Sequence, residues 1–220
     1  MKQALKVFLK SNLPPLYTLA CQFRAFSKGE LRYRASGPYL ATDDRQLLEN
    51  VIIPYFVSRD DLSKVLFVGC EWFTKYYEKA FRDKEYWTID REPFNARYGS
   101  NKKHIVDALE NLDRYCDAGY FDLIIANGIV GFGINTIETA ENAFQQCWRC
   151  LRSDGLLCLG WNDISEFRPF ALEDIRSLEQ FAPYNFPPFA TARYAAQTRL
   201  KHVFSFFIKA TRASANDSKP

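Results

Sequence analysis

Gly69, Asp90, Asp107 and Asn127 each stand directly after a short apolar run, and Asp90 follows Gly69 by 21 positions. A glycine lets the backbone approach a ligand closely, and a carboxylate about 20 residues further on, at the end of the next strand, can accept hydrogen bonds from both hydroxyls of a ribose. The spacing points to a nucleoside-containing ligand. The chain has two histidines, His104 and His202, and a general base must reach its substrate. His104 opens a short apolar run, which places it at the amino end of a parallel strand and away from such a ligand. His202 opens the run 203–208. If that strand is antiparallel its start lies on the ligand side, so His202 is the candidate base. Two separated imidazoles limit any histidine-based ligand set, and no metal is expected.

The elements that must position these residues are legible from residue 46 onward. Gln46 to Val57 reads as a helix with Leu47, Leu48, Val51 and Ile52 on one side. Short apolar runs then alternate with helical stretches: Lys64 to Val68, a helix over 73–82, Tyr86 to Ile89, His104 to Val106, and Phe121 to Ala126. A helix over about 137–151, a turn at Ser153 to Gly155 and a strand from Leu156 to Leu159 complete the block. This is the signature of βαβ units and predicts an α/β fold, a largely parallel sheet with helices on both faces. In such a sheet the ligand lies outside the carboxyl ends of the strands. The candidate site is therefore Gly69 to Trp72, Asp90, Asp107, Asn127 to Gly133, and Gly160 to Asp163.

Four segments, Val65 to Gly69, Trp87 to Asp90, Phe121 to Ile125 and Leu151 to Leu157, resemble in order and spacing the successive motifs of class I S-adenosylmethionine-dependent methyltransferases. The resemblance covers about 64–162, with the strand near 202–209 as an extension. It implies a three-layer αβα sandwich with a mostly parallel seven-stranded sheet whose last strand is antiparallel, S-adenosyl-L-methionine as cofactor, and methyl transfer as the reaction. Carried over, Gly69 would face the methionine part of the cofactor and Asp90 the ribose. Asp107, with Ala108 beside it, would sit by the adenine amino group, and Asn127 with Gly128 would line the methyl-transfer pocket. Asn127 and His202 are the candidate catalytic residues. The first loop reads Gly69-Cys70-Glu71-Trp72-Phe73 where the family usually has Gly-x-Gly. Here Glu71 can meet the ammonium of the cofactor and Trp72 can stack on the sulfonium, and Cys70 is the cysteine positioned to touch a ligand. A bulky loop is equally what a plugged, non-catalytic relative would carry, and a different nucleoside-binding enzyme could use the same Asp90 contact.

The 220 residues are 47% hydrophobic and 25% charged with a formal net charge of +3, a composition expected of one globular domain. That charge is uneven. Residues 1–34 hold seven basic residues against Glu30 alone, a net +6, which leaves the remainder at −3. The basic balance is therefore no argument for nucleic-acid binding by the main fold. Lys2, Lys6 and Lys10 share one arc of a helix whose opposite arc is apolar, and Pro14 and Pro15 interrupt it before a second apolar stretch. The expected organisation is a basic amphipathic helical arm over 1–45, an α/β domain over 46–210 and a disordered tail over 211–220. The arm either lies on an anionic membrane surface through residues 1–34 or packs as a cap helix; the sharper expectation is that it acts separately from the cofactor fold. No apolar run approaches the length needed to span a bilayer, and six scattered cysteines suit a reduced cytoplasmic compartment. The expected site of action is cytoplasmic, peripheral on the inner face of the membrane, with a small-molecule, glycan or lipid-linked acceptor.

Two further stretches carry competing readings. Cys147 and Cys150 have redox or zinc spacing but lie inside a helical stretch, which favours buried thiols. Phe181 to Phe189 is rich in proline and aromatics, so it reads either as a wall or lid over a substrate or as a long connection packed on the sheet.

Overall fold

The computed structural model describes residues 8–9, 12–34 and 37–210. The expected basic arc Lys2, Lys6 and Lys10 falls outside the described residues, as does the tail 211–220. The arm comprises helix α1 (Pro14–Ser27) and a hairpin of β1 (Leu31–Arg34) and β2 (Gly37–Leu40). Phe8, Leu9 and Asn12 are helical, the helix breaks at Leu13 as the prolines predict, and α1 begins at Pro14, since a first turn needs no N–H from the two prolines. The hairpin corrects the purely helical reading of the arm.

Helix α2 covers 43–57 and contains a π-helical turn at Leu48–Ile52. Pro54 has no N–H to give and its ring crowds the carbonyl four residues back, so the ladder opens just before it, with Ile53 N–H reaching Leu48 O. The strands that follow are β3 (Lys64–Val68), β4 (Glu85–Asp90), β5 (His104–Val106), β6 (Phe121–Asn127), β7 (Leu151–Asn162), β8 (Ala182–Pro183), β9 (Arg193–Ala195) and β10 (His202–Ile208). They form one sheet in the order β5-β4-β3-β6-β7-β10-β8, with β9 also paired to β10. The first five of that order run parallel and β10 is antiparallel to β7. The sheet is thus eight-stranded rather than seven. Its outer edge is split between β8 and β9, because the chain between them carries Pro187 and Pro188 and leaves the ladder.

Alternation along the strands builds two cores. Val65 and Phe67 of β3 face Leu48, Ile52 and Phe56 of α2, while Leu66 and Val68 face the opposite layer. That layer is helix α4 (Ile137–Cys150), which buries Ala140, Ala143, Phe144, Cys147 and Cys150 at helical spacing. Its start is fixed by reciprocal Thr136 and Thr139 bonds. The two cysteines are buried thiols, as helix packing predicts. The helix expected over 73–82 shrinks to α3 (Tyr77–Ala80), because Thr74 Oγ1 accepts from Glu71 N–H and donates back to Glu71 O, which closes a turn there instead. Beyond β7 the chain forms short 3-10 turns at Leu172–Asp174 and Arg176–Gln180.

The aromatic loop is not a lid. Phe186 is fully buried and stacks on Phe206 at 4.1 Å, and Tyr184 Oη lies 2.9 Å from Tyr55 Oη. No helix among the described residues is long and apolar enough to cross a membrane.

Candidate functional site

The carboxyl ends of β3 and β4 meet through main-chain geometry. Gly69 has φ +84°, a left-handed conformation that suits glycine, and its N–H donates to Ile89 O at 2.9 Å. A Cβ there would touch only Ile129 Cγ2 at 3.5 Å, so the loop has an open side. Gly128, at the end of the neighbouring strand β6, has φ +73° and nothing within 4 Å of where a Cβ would project. Two adjacent strands therefore end in glycines that leave room in front of the sheet.

Asp90 is fixed beside that space. Its Oδ2 accepts from Cys70 N–H at 2.7 Å and from Asn95 Nδ2 at 3.1 Å, and its Oδ1 accepts from Glu92 N–H at 2.8 Å. A carboxylate oxygen has two lone pairs, so Oδ1 retains one acceptor site for a hydroxyl. Cys70 takes part through its backbone. Its side chain is buried, and burial, reinforced by Asp90, pushes the thiol up to about 12 despite a hydrogen bond from Thr88. Asp107 is committed to its own loop: Oδ1 accepts from Ala108 N–H at 2.7 Å and Asn111 Nδ2 at 2.8 Å, and Oδ2 from Tyr115 Oη at 2.8 Å. Asn111 and then Tyr115 hold that carboxyl below its ordinary range.

Trp72 is not on the open side. It is 6% exposed and packs with Ala25 of α1 and Leu31 of β1, edge-on to Phe73 at 5.1 Å. The side chain read as a stacking partner for a cation is the pin that holds the arm to the body. With it pinned, Pro14, Tyr17 and Thr18 of α1 face Glu71, Glu92, Phe94 and Asn95 across a crevice of about 10 Å³. Burial raises the Tyr17 phenol, and Cys21 and the Glu71 charge add to the shift. The arm thus lies against the loop after β3, and whether it acts separately from the α/β fold is a matter for binding measurements.

Asn127 and His202 come together. His202 Nε2 lies 3.1 Å from Asn127 Oδ1, and its Nδ1 lies 2.8 Å from Asn162 Oδ1. Burial pushes the imidazole down to about 4, with Asp44 opposing and Arg45 adding to the shift. A neutral ring has one donor and one acceptor nitrogen, and a side-chain amide can offer either, so two amides satisfy both. His104, by contrast, bonds Thr88 Oγ1 at 2.8 Å and stays away from this group. Asn162 lies within the strand-end set read from the sequence, but its pairing to His202 depends on β7–β10 register, which no local pattern encodes. The contributions of Tyr17, Glu92 and Asn95 were also not read. The signal for Tyr17 was the small and polar face of α1 at 14, 18, 21 and 25.

A larger cavity of about 380 Å³ lies at the sheet edge, between the 3-10 turns and β8–β10, lined by Trp161, Ile175, Leu178 and Phe207 with Arg193 among its polar residues. Of the candidate site residues, Trp161 alone lines it. Among the described residues no cluster of three His, Cys, Asp or Glu side chains is placed to hold a metal ion.

No protein-family model matches the sequence, and no curated protein does. Solved structures do. N-methyltransferase NodS from Bradyrhizobium japonicum WM9 aligns with TM-score 0.58 at 17% identity over 76% of this chain and 97% of its own. The same enzyme in complex with S-adenosyl-L-homocysteine gives 0.57 at 16%, over 75% and 86%. A TehB-like S-adenosylmethionine-dependent methyltransferase from Corynebacterium glutamicum gives 0.52 at 18%, over 74% and 92%. The fold of this chain is that of the class I S-adenosylmethionine-dependent methyltransferases.

Proposed function

We propose that this chain binds S-adenosylmethionine at the ends of β3, β4 and β6 and transfers its methyl group to a small-molecule, glycan or lipid-precursor acceptor. The observation that carries the reading is Asp90, whose carboxylate is oriented by Cys70 N–H and Glu92 N–H with one acceptor site left, beside a Gly69 that has no side-chain wall. These residues fit a ribose next to a close-approaching backbone. In this assignment Asp90 holds the ribose, Gly69 and Cys70 present backbone to the methionine portion, Glu71 meets its ammonium, and Asp107 with Ala108 borders the adenine. The bound cofactor supplies an electrophilic methyl group on a sulfonium. The chain's part is alignment of acceptor and methyl, a positional task. Asn127, with Gly128 beside it, lines the transfer pocket. His202, buried and bonded on both nitrogens, positions Asn127; in that role it replaces the general base read from the sequence.

A second reading is a non-catalytic binding protein on the same fold. What favours it is the closeness of α1 to Glu71, Glu92 and Asn95, which leaves a crevice smaller than a nucleoside. Isothermal titration separates the two. The first reading expects S-adenosylmethionine or its demethylated product to bind wild-type protein and to lose about 1–3 kcal/mol of affinity in Asp90→Ala, the range for losing hydrogen bonds to a charged group. Absence of binding at millimolar ligand, or an affinity untouched by Asp90→Ala, overturns it.

A further inference from the structure

We propose that the outward face of α1 docks on an anionic lipid surface. Leu16, Leu19, Phe23 and Phe26 fall within an arc of about 80° at 100° per residue. All four are open to solvent, at 54%, 61%, 71% and 66% exposure. The side of the same helix turned to the body carries Pro14, Tyr17, Thr18, Cys21 and Gln22, all half-buried, and the buried Ala25, with no large aliphatic side chain among them. The helix is therefore turned with its more apolar face outward, the reverse of what packing on the body alone would select. It cannot roll over without pulling Ala25 off Trp72 and Tyr17 away from the Glu71 loop.

Charge decides what covers the face. Residues 1–34 carry a net +6, and Arg24, Lys28 and Arg32 are exposed near the carboxyl end of the apolar stripe. A two-fold contact between copies would set one such arm against another, like charge against like. A single face of a helix about 21 Å long is also small beside the roughly 800 Å² per partner of a stable protein interface. A bilayer surface of negative charge has no such area requirement and complements both features. The proposal does not depend on methyl transfer, and its test does not use the cofactor.

Co-sedimentation of the full chain with vesicles of phosphatidylcholine alone, and of phosphatidylcholine mixed with phosphatidylglycerol, reads the interaction. Binding is expected to the mixed vesicles only and to weaken with added salt. The double substitution Leu19→Glu with Phe23→Glu is expected to reduce it by about tenfold or more with an unchanged melting temperature, since both side chains are exposed. If the double variant fails to fold, Phe23→Ser carries the same comparison. No binding, or equal binding to both vesicle types, overturns the proposal. So does a concentration-dependent dimer in light scattering that the double variant abolishes, because the face would then belong to a second copy.

Discussion

His202 Nε2 lies 3.1 Å from Asn127 Oδ1 although a whole strand, β7, separates the strands that carry them. The reach depends on Gly160. In register, Gly160 stands between Asn127 on β6 and Phe204 on β10, and a Cβ on it would collide with Asn127 Oδ1 and press on His202 Nε2. Gly160→Ala is expected to cost about 1–3 kcal/mol of stability, the range for inserting a methyl into a packed site. Urea unfolding measures this, and an unchanged midpoint would show that the bridge is not held as the structure places it.

The same imidazole predicts an acid limb in the stability curve. Its folded value lies near 4 against an ordinary 6.5, so above pH 6.5 neither state carries the proton. Between about pH 6.5 and 4 the unfolded chain takes up a proton that the folded chain does not, and stability falls as pH falls, by up to about 3 kcal/mol. His104 is lowered by burial too and adds to the limb in the same direction. Urea midpoints from pH 7.5 to 4.5 for wild type and His202→Gln check this, with the variant expected to be flatter. Equal slopes would mean that the ring is hydrated.

Much of this was legible because strands in an α/β sheet end in turns with specific residue types. Gly69, Asp90 and Asn127 announce themselves by following apolar runs, and His202 follows from the antiparallel direction of β10. What was not legible depends on placement across the fold. Whether Phe186 covers a substrate or stacks on Phe206 is not decided by its neighbours in sequence, since an aromatic loop satisfies either. Trp72 looked like a ligand contact because its position lies in the loop after β3, yet its side chain turns toward Ala25 and Leu31. The hairpin of the arm does carry a signal, since Leu31, Arg32, Tyr33 and Arg34 alternate apolar and basic, but four residues read by their charge alone do not disclose a strand.

Asp122 clamps the opposite end of the sheet and should affect stability without affecting ligand binding. Its Oδ2 accepts from Ser63 N–H and Lys64 N–H, both at 2.7 Å, and its Oδ1 from Arg152 Nε at 2.5 Å. Removing the carboxylate strips three donors of one shared acceptor. Asp122→Ala is expected to lose about 2–4 kcal/mol, the range for breaking a charged, partly buried network. Calorimetric affinity for S-adenosyl-L-homocysteine should stay within about twofold in the folded fraction, because distant independent sites add. A large affinity change would mean that the two ends of the sheet are coupled.

The pin between arm and body gives the sharpest test of how the arm relates to the candidate cofactor loop. Trp72 closes a small cluster with Ala25 and Leu31, and α1 lies over Glu71, Glu92 and Asn95 only while that cluster holds. Trp72→Ala removes a large buried side chain from a site that cannot refill, at a cost of about 3–5 kcal/mol where the whole fold depends on it. Here the loss should fall on the arm, since the cluster is apart from the two cores on the faces of the sheet. The expected result is faster trypsin cleavage after Lys28, with the unfolding midpoint of the α/β core little changed. Affinity for S-adenosyl-L-homocysteine should change by more than about tenfold, a coupling of roughly 1.4 kcal/mol. A rise would show that α1 obstructs entry and a fall that it closes over the ligand. An affinity within a few-fold of wild type, with the arm released, would show that the arm works independently of the fold beneath it.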